Sequence, residues 1–192
     1  MFTVLEAYPF DQLEQQIRAV PLLQRREGEL VYPYEHADIT LESIPYVGVR
    51  PTSRYVVTDN LDRQRKLAQD LHVQGYDPLR LSGSLLLQSS TAEAPVGLIP
   101  PIVEETDANG LYMIDGMHRS YIGWQSGRIA LTVVRVRGIR VDCPAAALPN
   151  EWTDIIEYPR VPSDVRLKRD YRDDHLAYRR DFSRLNGSQP RN

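Results

Sequence analysis

Five consecutive residues, Asp115-Gly116-Met117-His118-Arg119, place a carboxylate, an imidazole and a guanidinium around a flexible turn. A helix that starts there presents backbone N–H groups and a partial positive charge, which together attract anions. Gly116 allows the backbone to approach a ligand closely. Arg119 offers a forked cation suited to phosphate oxygens, and His118 offers a donor or a proton carrier. Ser120 adds a hydroxyl. Asp115 is ill suited to touch an anion, but it can hold a metal ion, orient His118 or accept a proton. The plainer alternative is a helix cap followed by surface charges, with Met117, Tyr121 and Trp124 as ordinary core.

Other groups are weaker candidates. Arg50 and Arg54 flank Pro51 and would join Arg119 around a polyphosphate, or else stand as solvated arginines at a strand end. Glu104 and Glu105 precede a turn; aimed at the box, Glu104 would serve as general base, and otherwise the pair is simply exposed. His36, His72 and His175 lack the spacing of metal ligands. Cys143 reads as a buried or bystander thiol. Tyr171, Tyr178 and Phe182 suit a packing stripe better than a base-stacking platform.

The elements that must carry these residues follow from pattern. Phe10, Leu13, Ile17 and Val20 recur at helical spacing, with Asp11 near the start as a cap and Pro21 as the stop. Short strands and turns are expected over 22–48, with the best strand at Ile44 to Val49. Thr58-Asp59-Asn60 offers caps for a second helix through Leu61, Leu67, Ala68 and Leu71, ending at Gly75. Residues 82–95 read as a loop with a short strand inside. Ile102-Val103, the turn Asp107-Ala108-Asn109-Gly110 and Leu111 to Ile114 read as a hairpin. The helix after Gly116 should stop at Gly127, before a strand at Ala130 to Val136. Leu167, Tyr171, His175, Tyr178, Phe182 and Leu185 predict a C-terminal helix over about 163–185 that packs on the body or on a second subunit. Residues 187–192 read as disordered.

The 192 residues, 42% hydrophobic and 26% charged, suit one globular domain with extensions. The net charge of −3 weighs against a general nucleic-acid binder. A single cysteine excludes an internal disulfide and a cysteine zinc site. No signal-like start or bilayer-length apolar run is present, so a cytoplasmic location with no membrane contact is the expectation.

The run Ile114-Asp115-Gly116-Met117-His118-Arg119 resembles the D-G-x-H-R box of the ParB/sulfiredoxin superfamily. Val49-Arg50-Pro51 resembles the end of that fold's first strand, and residues 59–75 its following helix and glycine. Pro101-Ile102-Val103 is similar to the strand before the box, and Gly127 to Val136 to the terminal strand. The resemblance covers roughly residues 44–138. It implies an α+β fold, a small mixed sheet with packed helices, flanked by an N-terminal extension (1–43) and a C-terminal extension (139–192). It also implies that Gly116, His118 and Arg119 bind nucleotide phosphates.

The superfamily includes sulfinic-acid reductases, nucleotide-switched DNA-partitioning proteins and kinases for free serine. Met117 stands where sulfiredoxins carry the catalytic cysteine, which argues against thiol chemistry. Pro144, Pro149, Pro159 and Pro162 interrupt the region where ParB proteins continue into a helix-turn-helix, so DNA is a disfavoured partner. The serine kinases match in size and box type, but Pro51-Thr52-Ser53-Arg54 lacks their carboxylate after the first strand. The leading expectation is a small-molecule kinase using ATP or ADP, with CTP as a further candidate, and Mg²⁺. In it, Gly116, His118, Arg119, Ser120, Arg50 and Arg54 hold phosphates, while Asp115, His118 or Glu104 does the chemistry and Asp115 holds the metal. The alternative is a non-catalytic nucleotide switch that contacts DNA or a protein. A nuclease is disfavoured for want of a carboxylate cluster.

Overall fold

The computed structural model describes residues 1–24, 28–92, 94–106, 110–144, 150–163 and 175–185. In the first half, β1 (Phe2–Pro9) runs straight into α1 (Phe10–Arg18). β2 (Asp38–Pro45), β3 (Val49–Pro51), β4 (Tyr55–Val57) and α2 (Thr58–Val73) follow. The second half holds β5 (Gly83–Ser89), β6 (Val96–Leu98), β7 (Ile102–Thr106), β8 (Gly110–Asp115), α3 (Met117–Gln125), β9 (Ala130–Arg137) and β10 (Ile156–Tyr158). The fold is α+β.

The central sheet has the order β2-β9-β7-β8-β3 and is mixed: β7–β8 and β2–β9 are antiparallel, while β9–β7 and β8–β3 are parallel. Because strand side chains alternate faces, the sheet buries two sets of residues. On one face, Val103, Met113, Leu131 and Val133 pack with Tyr121 of α3, Leu61 of α2 and Trp152. On the other, Ile102, Val134 and Val136 pack with Leu13 and Ile17 of α1, Tyr34 and Leu185. A bulge at Ile114 breaks the β7–β8 register, so that Ile102 pairs with Asp115 and Val103 with Met113. Bulges of this kind re-aim a side chain at a strand end, and here the re-aimed residue is Asp115.

A second sheet, β1-β5-β6, is antiparallel, and its leucines meet the C-terminal half of α2 through Leu67 and Leu71. α2 thus joins the two sheets, Leu61 on one and Leu67 and Leu71 on the other. It also closes over the outer edge of β1. Asp70 accepts from the Phe2 N–H at 2.8 Å, and Gln74 accepts from the Val4 N–H and donates to the Phe2 carbonyl, both at 2.9 Å.

Several sequence expectations need correction. Asp11 lies in the first turn of α1, whose N-cap is Pro9. Thr58 already belongs to α2, whose N-cap is Val57. The strand expected at Ile44 to Val49 is β2, starting at Asp38 and ending at Pro45. A 3-10 turn at Tyr46–Gly48 follows, because Tyr46 folds inward edge-on to Trp152. The loop expected at 82–95 contains the seven-residue β5, paired with β1 from the far end of the sequence. Residues expected as an N-terminal extension therefore supply β1 and α1 to the same body. The hairpin is present, although its turn residues 107–109 lie outside the described residues.

Of the expected C-terminal helix, 164–174 lies outside the described residues, as does the tail after 185. Over 175–185 there are two 3-10 turns, His175–Tyr178 and Phe182–Arg184, around a β-bridge between Arg180 and Leu22. The helix gives way because main-chain bonds to the N-terminal segment (Leu23 N–H to Arg179 O, Asp181 N–H to Pro21 O, 2.7 and 2.8 Å) replace intrahelical ones. Phe182 and Leu185 of the predicted stripe face the chain's own core. No helix among the described residues is long and apolar enough to cross a membrane.

Candidate phosphate-binding site at the start of α3

Gly116 is the N-cap of α3 and adopts φ +87°, ψ 13°, a left-handed conformation that favours glycine. A Cβ at this position would lie 2.8 Å from the Pro101 Cβ and 2.9 Å from its Cα. The close approach that Gly116 permits is thus to the chain's own Pro101. The first intrahelical bond runs from the Ser120 N–H to the Gly116 carbonyl at 3.1 Å. The N–H groups of Met117, His118 and Arg119 therefore lie ahead of it, at the helix end that attracts anions.

Asp115 and Arg119 meet one turn apart, with carboxylate and guanidinium atoms 4.0 Å from each other and both side chains about nine-tenths buried. The His118 Nε2 accepts from the Val57 N–H at 3.2 Å. His118 therefore ties the N-terminus of α2 to α3, and with Nε2 as acceptor a neutral ring carries its proton on Nδ1. Ser120 is fully buried on the inner side of α3, and its Oγ has no hydrogen-bond partner among the described residues. The Ser120 hydroxyl, expected to contact phosphate, thus lies in the core behind the helix start.

The loop after β3 leans on the same place. Thr52 Oγ1 donates to the Met113 carbonyl at 2.7 Å, two residues before Asp115. Arg54 Nε donates to Asn150 Oδ1 at 2.7 Å, and Asn150 Nδ2 donates to the Pro51 carbonyl at 3.2 Å. Asn150 is buried to 1% exposure. Beyond it, Trp152 Nε1 donates to the carbonyls of Tyr46 and Val49, and β10 pairs in parallel with β4. The segment 150–158 thus fastens the loop and β4 from outside. Glu157 in β10 accepts from Gln125 of α3 at 2.8 Å and from Tyr121 at 3.4 Å. Burial, with the nearby Glu157 carboxylate, raises the Tyr121 phenol above its usual value.

Two predicted residues lie elsewhere. Arg50 pairs with Tyr112 across β3–β8, on the sheet face turned away from α3. Glu104 faces the same way, at 1% exposure, and is fully engaged by Arg180, with Nε to Oε1 at 2.7 Å and Nη2 to Oε2 at 3.1 Å. Tyr34 Oη donates to Glu104 Oε1 at 2.5 Å, and the Arg180 guanidinium lies 5.7 Å from the Tyr34 ring centre. Glu104 is consequently a structural anion in the core and not a base at the box. Glu105 holds Arg135 at 2.7 Å.

A family model of the ParB CE domain matches residues 12–156. The chain belongs to this family. The matched ParB CE domain runs from α1 to the first residue of β10, so it includes the box, the loop after β3, Asn150 and Trp152. No curated protein and no solved structure matches the chain. The sequence pattern pointed to the box and to Arg54. It carried no signal for Thr52 or Asn150, whose roles depend on contacts 61 and 96–99 residues distant in the chain.

Proposed function

We propose that this ParB CE domain binds nucleotide phosphates at the N-terminal end of α3 and acts as a nucleotide-responsive switch for a protein or nucleic-acid partner. The observation that carries the reading is the coincidence, in one turn, of the Gly116 cap, the leading N–H groups and the Arg119 guanidinium. Preorganised donors of this kind suit phosphate oxygens. Binding without turnover is favoured over catalysis because Glu104 is committed to Arg180 on the far face of the sheet.

A second reading, a small-molecule kinase using ATP or ADP, rests on Asp115, which lies beside Arg119 at the same turn. Among the described residues no three His, Cys, Asp or Glu side chains gather as a metal cage. Mg²⁺ needs none, since it is commonly held by one or two carboxylates together with phosphate oxygens and water. Asp115 fits that role, and the ion would offset phosphate charge.

Calorimetric titration of ATP, ADP and CTP into wild type and Arg119→Ala tests the phosphate site, with melting curves to show that the variant is folded. Loss of a charge-assisted contact should weaken binding by about 1.5–3 kcal/mol. Equal affinity in the two proteins would remove the proposal. Incubation with a metabolite panel separates the readings: phosphorylated product that disappears in Asp115→Asn supports the kinase, and tight binding without product supports the switch.

A further inference from the structure

The outer strands of the two larger sheets are β2 and β3 in one, β1 and β6 in the other, and the chain treats them unequally. At β1, Asp70 and Gln74 bond the outward groups of Phe2 and Val4. At β3, the Val49 N–H bonds to the Tyr46 carbonyl, and Trp152 donates to the Val49 carbonyl. Asn150 donates to the carbonyl of Pro51, which has no N–H to offer. β6 is only three residues long. β2 is the exception, with eight residues paired to β9 without a bulge and no strand on its other side.

Which groups of β2 face outward follows from β9. The N–H groups of Thr132 and Val134 bond to the Leu79 and Pro101 carbonyls, away from β2. Leu131, Val133 and Arg135 therefore face β2, and their register partners Ile44, Glu42 and Thr40 close that ladder. The N–H and carbonyl groups of Ile39, Leu41 and Ser43 point the other way. They meet no donor or acceptor among the described residues. Ser43 is exposed and Leu41 half-buried, so the edge is open where a strand would add. Proteins seldom leave so long a row bare.

We infer that the β2 edge is a self-association surface, on which two copies of this chain pair β2 with β2, antiparallel about a two-fold axis at Leu41. Such a contact must be self-complementary, and charge selects the register. Centred on Leu41, Ile39 faces Ser43 of the second copy, Thr40 faces Glu42, and Asp38 faces Ile44. No like charges oppose. Centred on Thr40, Asp38 would face Glu42, and centred on Glu42 two glutamates would meet. Like charges directly opposite are destabilising, and centres further out pair fewer residues. The Glu42–Arg135 and Asp38–Arg137 bridges lie between β2 and β9 within each copy, so pairing need not break them. A single strand pair is small beside the roughly 1,200–2,000 Å² of a stable interface, so the dimer is weak and concentration-dependent.

Sedimentation equilibrium from micromolar to millimolar protein should show wild type passing from monomer to dimer. Ser43→Pro deletes an outward N–H and leaves the β9 ladder whole. It should weaken dimerisation at least about tenfold with little change in melting temperature. Thr40→Glu sets a glutamate against Glu42 of the second copy. It should weaken the dimer at low salt, with recovery at high salt, and it stands in if Ser43→Pro fails to fold. Oxidative cross-linking in a Cys143→Ser background reads the register. Leu41→Cys should join the two copies, because directly opposed residues bring their Cα atoms within disulfide reach, and Ser43→Cys should not. A wild type that stays monomeric throughout overturns the inference, and protection of its β2 amides by an added extended peptide would assign the edge to a foreign strand instead. A dimer indifferent to both Ser43→Pro and Thr40→Glu, or one joined through Ser43→Cys and not Leu41→Cys, overturns it as well.

Discussion

Gly116 and His118 show how far residue type reads ahead of structure. The spacing of Asp115, Gly116, His118 and Arg119 marked the start of a helix, and α3 begins there. What the glycine and histidine touch was not legible, because Pro101 and Val57 are remote in the chain. Gly116→Ala should cost about 2–5 kcal/mol, combining left-handed strain with overlap on Pro101. Gly127→Ala is the control: its φ is +77° but no atom lies within 4 Å of the added Cβ, so only about 1–2 kcal/mol of strain applies. Urea unfolding should show a lower midpoint for both, with the larger drop at Gly116; the reverse order would contradict the close packing against Pro101. His118→Ala leaves the buried Val57 N–H without its acceptor, at about 1–3 kcal/mol. Faster amide exchange at Val57 is the specific readout, and unchanged exchange would argue that the imidazole does not hold α2.

Among the elements, those with local patterns were legible: α2 and α3 from helical periodicity, the β7–β8 hairpin from Asn109-Gly110, β9 from its apolar alternation. β5 was hidden because its Ser- and Gly-flanked leucines become a strand only when β1 arrives from about eighty residues away. The C-terminal stripe gave burial correctly for Phe182 and Leu185 and gave the wrong backbone, since apolar spacing cannot reveal a bridge to Leu22. The strongest tie of that segment is the Arg180–Glu104 pair. Arg180→Ala should destabilise by about 3–5 kcal/mol, since it leaves a carboxylate buried without its counter-charge. Thermal unfolding checks this, and a loss below 1 kcal/mol, the size of an exposed pair, would mean that the segment is not docked as described. Trp152→Ala should cost a comparable amount, about 3–5 kcal/mol, and release β10 from β4. Loss of protection at Ile156, whose N–H bonds to the Arg54 carbonyl, would report that release.

For the molecule as a whole, titratable groups at separate joints set the pH range of stability. Glu42 is held below its usual value by Thr40 and Arg135, Asp70 by Lys66 and the Phe2 N–H. At Asp77 burial opposes ionisation, but Arg128 and the Leu79 N–H outweigh it and the value is again lowered. A lowered folded value means that the unfolded chain takes up protons first as pH falls. The stabilisation is complete above the ordinary carboxylate range near pH 4 and is lost progressively below it. The phenols act at the other end. Burial raises Tyr34, with the Glu104 charge adding to it, and burial also raises Tyr46 and Tyr112. Their contribution is complete below about pH 10, the unfolded phenol value, and is lost as pH climbs towards the raised folded values. Melting temperature should therefore be flat between these limits and fall outside them. A steep slope between pH 5 and 9 would show that other groups govern stability.

The clasp between α2 and β1 has a consequence for how this molecule meets its neighbours. An edge strand normally offers a row of bare amides and carbonyls to any other chain with a free edge. The side-chain amide of Gln74, accepting from Val4 and donating to Phe2, imitates the peptide group of an absent neighbouring strand, and Asp70 supplies one more acceptor. A helix thereby stands in for a fourth strand. The outermost strand of the small sheet reaches solvent already partnered, which protects its first residues from templating another copy at the high local concentrations that oligomeric assemblies create.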